Sequence, residues 1–307
     1  MVLSFYKKMI ATLHKDRHLI LMVVLNSEGS SPGRAGFKMF VSTSDIHGSI
    51  GGGMMEHKMV ELARHLLMNQ PFEPFIRLQI HRSEEVQNRS GMICSGQQTI
   101  AFYWMDTSHL NLLASILTSE NETIHYTAKG IELISAATPP IMEPSPFTYS
   151  EAIKPASKAY IIGGGHVGLA LSQVLSHLDF EIHVLDHREH LNTMDQNQFV
   201  HKKQVVEFQQ ISKYIEEGEH VFVIIMSFGY RTDKLVLSQL LGKTFKYLGM
   251  MGSQAKNKTL FEELRQEGFS EKDLQKVFAP IGVPIHSKTP FEIAVSVAAE
   301  IIAVKNG

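Results

Sequence analysis

The spacing Gly163-x-Gly165-x-x-Gly168, followed downstream by Asp186, is suited to holding a nucleotide. In such a pattern Gly163 lets the chain turn tightly, Gly165 lets backbone approach a pyrophosphate, and Gly168 lets a helix pack closely on a strand. Phosphates would face the helix N-terminus, where unpaired N–H groups and the positive end of the macrodipole favour anions. A carboxylate at Asp186 accepts hydrogen bonds from ribose hydroxyls and repels a 2′-phosphate, so NAD or another ribonucleotide is expected over NADP. His166, inside the turn, either contacts a phosphate or occupies the first helical turn.

Two further groups invite chemistry. Gly51, Gly52 and Gly53 precede a helical stretch, so their backbone N–H groups can converge on an anion, and Glu56 can accept from a ring N–H of a heterocycle. The same residues also read as a bend with a helix-capping glutamate. Cys94 stands between Gly91 and Gly96 in a polar stretch, where its sulfur reads either as an accessible soft metal ligand or as a buried, inert thiol. One cysteine cannot build a closed zinc site. His183, His187 and His190 read as a solvated strand end and loop.

The elements that must position these residues follow from periodicity. Residues 159–162 are an apolar run, helical spacing continues to about Leu178, and 181–185 are extended, giving strand, turn, helix and strand around the glycines. Beyond them, strands are expected over 204–207, 220–226 and 244–249, with helices over 211–217 and 232–241. Alternating strands and helices specify a parallel sheet covered on both faces, an α/β fold. Thr289-Pro290-Phe291-Glu292 is a capping box with proline at the first helical position, and Ser270 with Asp273 opens a short helix. In the first half, residues 2–14 have helical spacing and 19–25 read as a buried strand. Residues 26–38 form a glycine-rich polar loop, 39–43 are extended, and 45–48 resemble a hairpin turn. A helix is expected over 54–67, and strands over 75–80 and 99–104. Prolines 139, 140, 144, 146 and 155 mark a connection, dividing the chain into 1–136, a linker 137–158, and 159–307.

Bulk properties narrow the function classes. The 29 basic and 31 acidic side chains among 307 residues nearly cancel, which argues against nucleic acid or an anionic membrane surface as partner. A lone cysteine excludes an intrachain disulfide and fits a reducing compartment. No apolar run approaches the ~20 residues of a membrane helix, and the N-terminus lacks signal-peptide character, so a cytoplasmic location is expected.

The motifs also occur in a distinctive order: Gly29-Ser30-Ser31-Pro32, Gly51-Gly52-Gly53-x-x-Glu56 and Gly91-x-x-Cys94-x-Gly96 in the first half. The second half carries Gly163-Gly164-Gly165-His166-Val167-Gly168, Asp186, Tyr247-Leu248-Gly249-Met250-Met251-Gly252-Ser253 and Ala279-Pro280-Ile281-Gly282. In this order they resemble the XdhC/CoxI family, xanthine dehydrogenase accessory proteins that bind molybdenum cofactor and help deliver it to a molybdenum hydroxylase. The resemblance spans nearly the whole chain. It implies an N-terminal α/β domain and a C-terminal Rossmann-like domain contributing to one site, a cofactor-handling chaperone, and a homodimer; the leading expectation is an insertion factor without turnover of its own on a purine. It further implies that Cys94 touches molybdenum or assists replacement of an oxo ligand by sulfur. A xanthine dehydrogenase-type enzyme is the implied client and a cysteine desulfurase an implied partner. Gly51, Gly52, Gly53, Gly163, Gly165 and Gly168 are then expected to hold the phosphate of molybdopterin, and Glu56 its ring N–H groups. The sequence departs from the family where Gly33 takes the place of a common arginine, where Ile93 and Met54 replace second cysteines, and where residues 226–231 lack the family's histidines. Two alternatives stand beside this reading, an NAD-dependent oxidoreductase and a nucleotide-sensing regulatory protein.

Overall fold

The structure, a computed structural model, describes residues 2–80, 96–119, 122–135 and 146–307. The chain divides into two compact units, 1–154 and 155–307.

In the first unit α1 (Val2–Asp16) leads into β1 (His18–Glu28), whose run of apolar residues is buried on both faces. Then follow β2 (Lys38–Val41), β3 (Ile46–Gly48), α2 (Gly53–Leu67), β4 (Phe75–Ile80), β5 (Gln97–Asp106), α3 (Leu110–Thr118), β6 (Glu122–Thr127), β7 (Gly130–Ser135) and β8 (Thr148–Ala152). β1 to β5 make an antiparallel sheet of order β3-β2-β1-β5-β4. Period-two alternation sends Leu19, Leu21 and Val23 to a core with α1 and α3, and Ile20, Met22 and Val24 to a second core with α2. β6 pairs with both β7 and β8 in a three-stranded sheet.

Two expectations about this half of the chain are corrected by its strand pairings. Residues 46–48 are a strand on β2 rather than the tip of a turn, because Ser42 and Asp45 close the reversal one step earlier through mutual hydrogen bonds. The proposed linker 137–158 contains β8, which pairs along β6 in the first unit, and the start of β9 of the second; the division falls between Lys154 and Pro155. Prolines flank β8 without interrupting its hydrogen-bond ladder.

The second unit runs β9 (Ser157–Ile162), α4 (His166–Ser176), β10 (Phe180–Asp186), α5 (Asn192–Asp195), β11 (Lys202–Val205), β12 (Gly218–Ile225), α6 (Tyr230–Leu240), β13 (Phe245–Met250), α7 (Gln254–Gln266), α8 (Glu271–Leu274), β14 (Val277–Phe278) and α9 (Pro290–Asn306). Six strands, all parallel, lie in the order β11-β10-β9-β12-β13-β14. This is the doubly wound α/β arrangement, with its strand order reversing between β9 and β12. Ala159 and Ile161 face one core with α4 and α9, while Tyr160 and Ile162 face the other with α6 and α7. The helix expected over 211–217 is instead a 3-10 segment, Phe208–Lys213, with non-helical backbone at Gln210, and the strand before it ends at Val205. Phe208 and Ile211 serve the core there with too little length for an α-helix. Both helix starts form as written: Ser270 N-caps α8 by accepting from Asp273 N, and α9 has the full capping box, in which Thr289 accepts from Glu292 N while Glu292 accepts from Thr289 N.

Candidate functional sites in each unit

In the second unit the glycine turn joins β9 to α4 at the point where the strand order reverses. Gly163 has φ 124°, and a Cβ there would lie 2.3 Å from the Met226 carbonyl oxygen, so only glycine fits between β9 and β12. A Cβ on Gly168 would meet the Gly163 carbonyl oxygen at 2.2 Å, the close helix–strand approach expected of the third glycine. Gly165 differs from both. It has ordinary backbone and faces open space, with no protein atom beyond its chain neighbours within 4 Å of where its Cβ would be, and it caps the N-terminus of α4. His166 is the first residue of that helix and is exposed.

Asp186 ends β10 as expected, but its carboxylate is engaged within the protein. It is 1% exposed. Oδ2 accepts from Gly164 N–H at 2.7 Å and Arg188 Nη2 at 2.7 Å, while Oδ1 accepts from Arg188 N at 3.0 Å and Nε at 2.9 Å. Burial pushes this carboxyl up, yet the hydrogen bonds from Arg188 and Gly164 outweigh it and hold the group below the usual carboxylate range. A carboxylate offers about four acceptor positions, and four N–H donors fill them. Ribose hydroxyls can therefore reach Asp186 only by displacing Arg188. Thr193 closes the turn from behind by donating to the Gly164 carbonyl oxygen at 2.6 Å.

Across the reversal point, the 226–229 loop is anchored by Asp233. This residue is 1% exposed; its Oδ1 accepts from Ser227 N and Oγ, and its Oδ2 from Lys256 Nζ at 2.6 Å. Phe228 projects from the anchored loop 81% exposed, its ring centroid 6.0 Å from the Arg188 guanidinium carbon. The two later motifs meet at the end of β13, where Ile281 N–H donates to the Met250 carbonyl oxygen.

In the first unit three motifs come together around Gln98, which is buried at 1% exposure. Its Oε1 accepts from Ser31 Oγ at 2.7 Å and Gly33 N at 3.1 Å, and its Nε2 donates to the Ile50 carbonyl oxygen at 3.1 Å. A Cβ on Gly51 would lie 2.6 Å from Gly33 N, and one on Gly96 would lie 2.5 Å from Ser31 N, so both glycines are required by close approach of the Ser31–Gly33 backbone. A Cβ on Gly33 itself would lie 2.4 Å from both Gln98 Oε1 and the Ile50 carbonyl oxygen, which explains why no arginine stands there. Cys94 and Gly91 lie outside the described residues.

Glu56 resolves the choice left open for the glycine triplet. Its Oε2 accepts from Ser49 Oγ at 2.6 Å, Ile50 N at 2.9 Å and Gly52 N at 2.9 Å, so the anion on these donors is the helix's own glutamate. Gly51 N donates to Ser49 Oγ at 3.1 Å. The expectation that Gly51 and Gly52 present their N–H groups to a ligand phosphate is corrected accordingly: the carboxylate sits in the first turn of α2 and outcompetes solvent for its unpaired donors.

Spacing gave no signal for Gln98, Thr193 or Phe228. Arg188 had one, since a basic residue just after the acid of a dinucleotide fingerprint is a known accommodation for a phosphorylated ribose. Among the described residues no group of three or more His, Cys, Asp and Glu could hold a metal ion, and no helix is long and apolar enough to cross a membrane.

Comparison with known proteins accords with this architecture. Residues 159–301 match the XdhC Rossmann domain, and residues 12–77 match the XdhC and CoxI family. The uncharacterised protein YqeB of Escherichia coli (strain K12) is 25% identical over 288 residues, which cover 92% of this chain and 43% of YqeB. A probable xanthine dehydrogenase subunit from Bacillus subtilis (strain 168) is 23% identical over 159 residues, 51% of this chain and 46% of that protein. The chain thus spans less than half the length of these two relatives. A crystal structure of a xanthine dehydrogenase from Bacillus halodurans shares the fold, with TM-score 0.79 and 19% identity over 98% of this chain and 96% of that one. With both of its halves matched in order, the chain belongs to the XdhC and CoxI family.

Proposed function

We propose that this protein is an accessory factor that binds molybdenum cofactor and passes it to a xanthine dehydrogenase-type enzyme. The observation that carries the reading is the junction in the first unit. Ser31, Gly33, Gly51 and Gly96, drawn from three separate motifs, are locked together by close backbone approach and by Gln98, and Gly96 follows Cys94 by two residues in the sequence. Such a glycine-built junction fixes the backbones of segments that carry the family's motifs, the kind of rigid support that a binding site needs.

The described residues fit a phosphate-bearing ligand unequally. Gly165, open and at the N-terminus of α4, fits a phosphate in the second unit. Gly51 and Gly52 do not fit that task, because their N–H groups are already spent on Ser49 and Glu56. In this reading the metallopterin is cargo whose molybdenum meets the Cys94 sulfur, and the second unit binds NAD or another nucleotide. Dimer formation and a cysteine desulfurase partner belong to the same proposal.

The test is the pterin fluorescence of oxidised protein purified from a cofactor-producing host. Wild type is expected to retain the pterin and Cys94→Ser to lose most of it, about tenfold, with an unchanged thermal melt. A Cys94→Ser variant that retains as much pterin as wild type removes Cys94 from the site. Hydride transfer from a bound nicotinamide, without pterin, would instead make the protein an oxidoreductase.

A further inference from the structure

In the second unit, three loops leave the C-terminal ends of neighbouring strands: 163–165 after β9, 187–191 after β10 and 226–229 after β12. A nucleotide seated on the glycine turn in the usual doubly wound manner lies in the crevice outside these ends. Its ribose end falls toward Asp186, and there the chemistry differs from that of an NAD site. The acid is sealed, with both oxygens occupied, and the group that faces outward is Arg188, whose side chain is 36% exposed. A guanidinium that pairs through Nε and Nη2 directs its Nη1 N–H groups away from the carboxylate. The Asp186 pair therefore fixes the orientation of a cation whose remaining edge is suited to a phosphate.

Phe228 supplies the second half of the argument. Its loop is pinned by Ser227 to the buried Asp233, yet its ring is 81% exposed and lies over Arg188 at 6.0 Å. A planar base between two faces needs about 7 Å, twice the ordinary carbon–carbon contact distance, and the exposed ring and the guanidinium, neighbours on two separate loops, are the groups placed to part around it. Arginine and phenylalanine faces both stack on heterocycles.

We propose that the second unit takes an adenine nucleotide bearing a phosphate on the ribose 2′-oxygen, with the base between Phe228 and Arg188 and the 2′-phosphate on Arg188. This rests on the nucleotide reading of the second unit and reverses the sequence-based preference for NAD. A free 2′,3′-diol gains nothing from Asp186 while Arg188 holds it, whereas a 2′-phosphate uses the cation that the pair presents.

The experiment is calorimetric titration of the full-length chain with 2′,5′-ADP and with 5′-AMP, and then with NADP and NAD. The phosphorylated member of each pair is expected to bind at least about tenfold more tightly. Arg188→Ala abolishes or inverts the preference, because it removes the cation and frees Asp186 for the diol. Arg188→Lys, which keeps the charge without the fork, gives an intermediate ratio, and Phe228→Ala weakens both members of a pair equally. Thermal melts of each variant show whether the fold is intact. Equal or tighter binding of the unphosphorylated member, or an unchanged ratio in folded Arg188→Ala and Arg188→Lys, overturns the inference. If none of the four compounds binds, the nucleotide reading of the second unit falls as well, whereas pterin retention tests the first unit separately.

Discussion

The most informative single residue is Asp186, because its position agrees with the expectation and its chemistry does not. It lies at the end of β10 beside the glycine turn, and there it serves as an internal anchor, taking Gly164 N–H and three donors from Arg188. Removing it leaves a buried backbone donor and a cation without their partner. Asp186→Ala is expected to cost about 2–3 kcal/mol, less than for a fully buried pair because Arg188 keeps partial access to water. The sign of the pH dependence follows from the direction of the shift. Held below the ordinary 3.8, the folded carboxyl stabilises the unit fully above that pH and loses the contribution as pH falls through the lower folded value. Denaturant melts at a series of pH values are the check: the gap between wild type and Asp186→Ala should be constant near neutrality and narrow below pH 3.8. A gap independent of pH would show that the carboxylate does not anchor the turn.

Among the elements, the β9–α4 turn shows how three glycines of one motif do different work. Gly163 and Gly168 are required by neighbours within the protein, at 2.3 and 2.2 Å from a hypothetical Cβ, whereas Gly165 has no such neighbour. A substitution at Gly165 is therefore expected to act on the proposed nucleotide far more than on the fold. Gly165→Val is expected to leave the thermal midpoint within about 2 °C of wild type while weakening nucleotide binding at least tenfold. Gly163→Ala, strained in backbone and blocked by the Met226 carbonyl, is expected to cost about 2–3 kcal/mol even without ligand. Parallel melts and titrations of the two variants separate these effects; a destabilised Gly165→Val would mean that the middle glycine is structural after all. The α2 N-terminus makes the contrasting case. It has a glycine triplet of equal promise in sequence, yet Glu56 folds back onto it and fills the place of an external anion.

For the whole molecule, the division at Lys154 assigns β8 to the first unit, and with it Glu151. Lys38, 8% exposed at the start of β2, pairs with Glu151 Oε2 at 2.5 Å; burial lowers its affinity for a proton against the pull of that carboxylate. A fragment 1–136, cut where the prolines suggested, loses β8 and leaves Lys38 buried without its partner. It is expected to be less stable than 1–154 by more than about 3 kcal/mol in denaturant unfolding, and equal stability would refute the assignment. By itself, the sequence determined what local rules govern. These were the alternation of β9, β10, β12 and β13 with α4 and α6, the N-cap of α8 and the capping box of α9, the turn at Gly163 to Gly168 and the family motifs in their order. Periodicity and backbone stereochemistry act over a few residues and so can be read along the chain. Tertiary structure alone decided which donors were already spent, where Glu56 and Asp186 turned inward, and that Gln98 would join three distant segments. It also decided that β8 would close a sheet across a proline-rich stretch. Each of these is a competition between a protein partner and a ligand or solvent for the same hydrogen-bonding groups, and its outcome depends on distances that no spacing along the chain encodes.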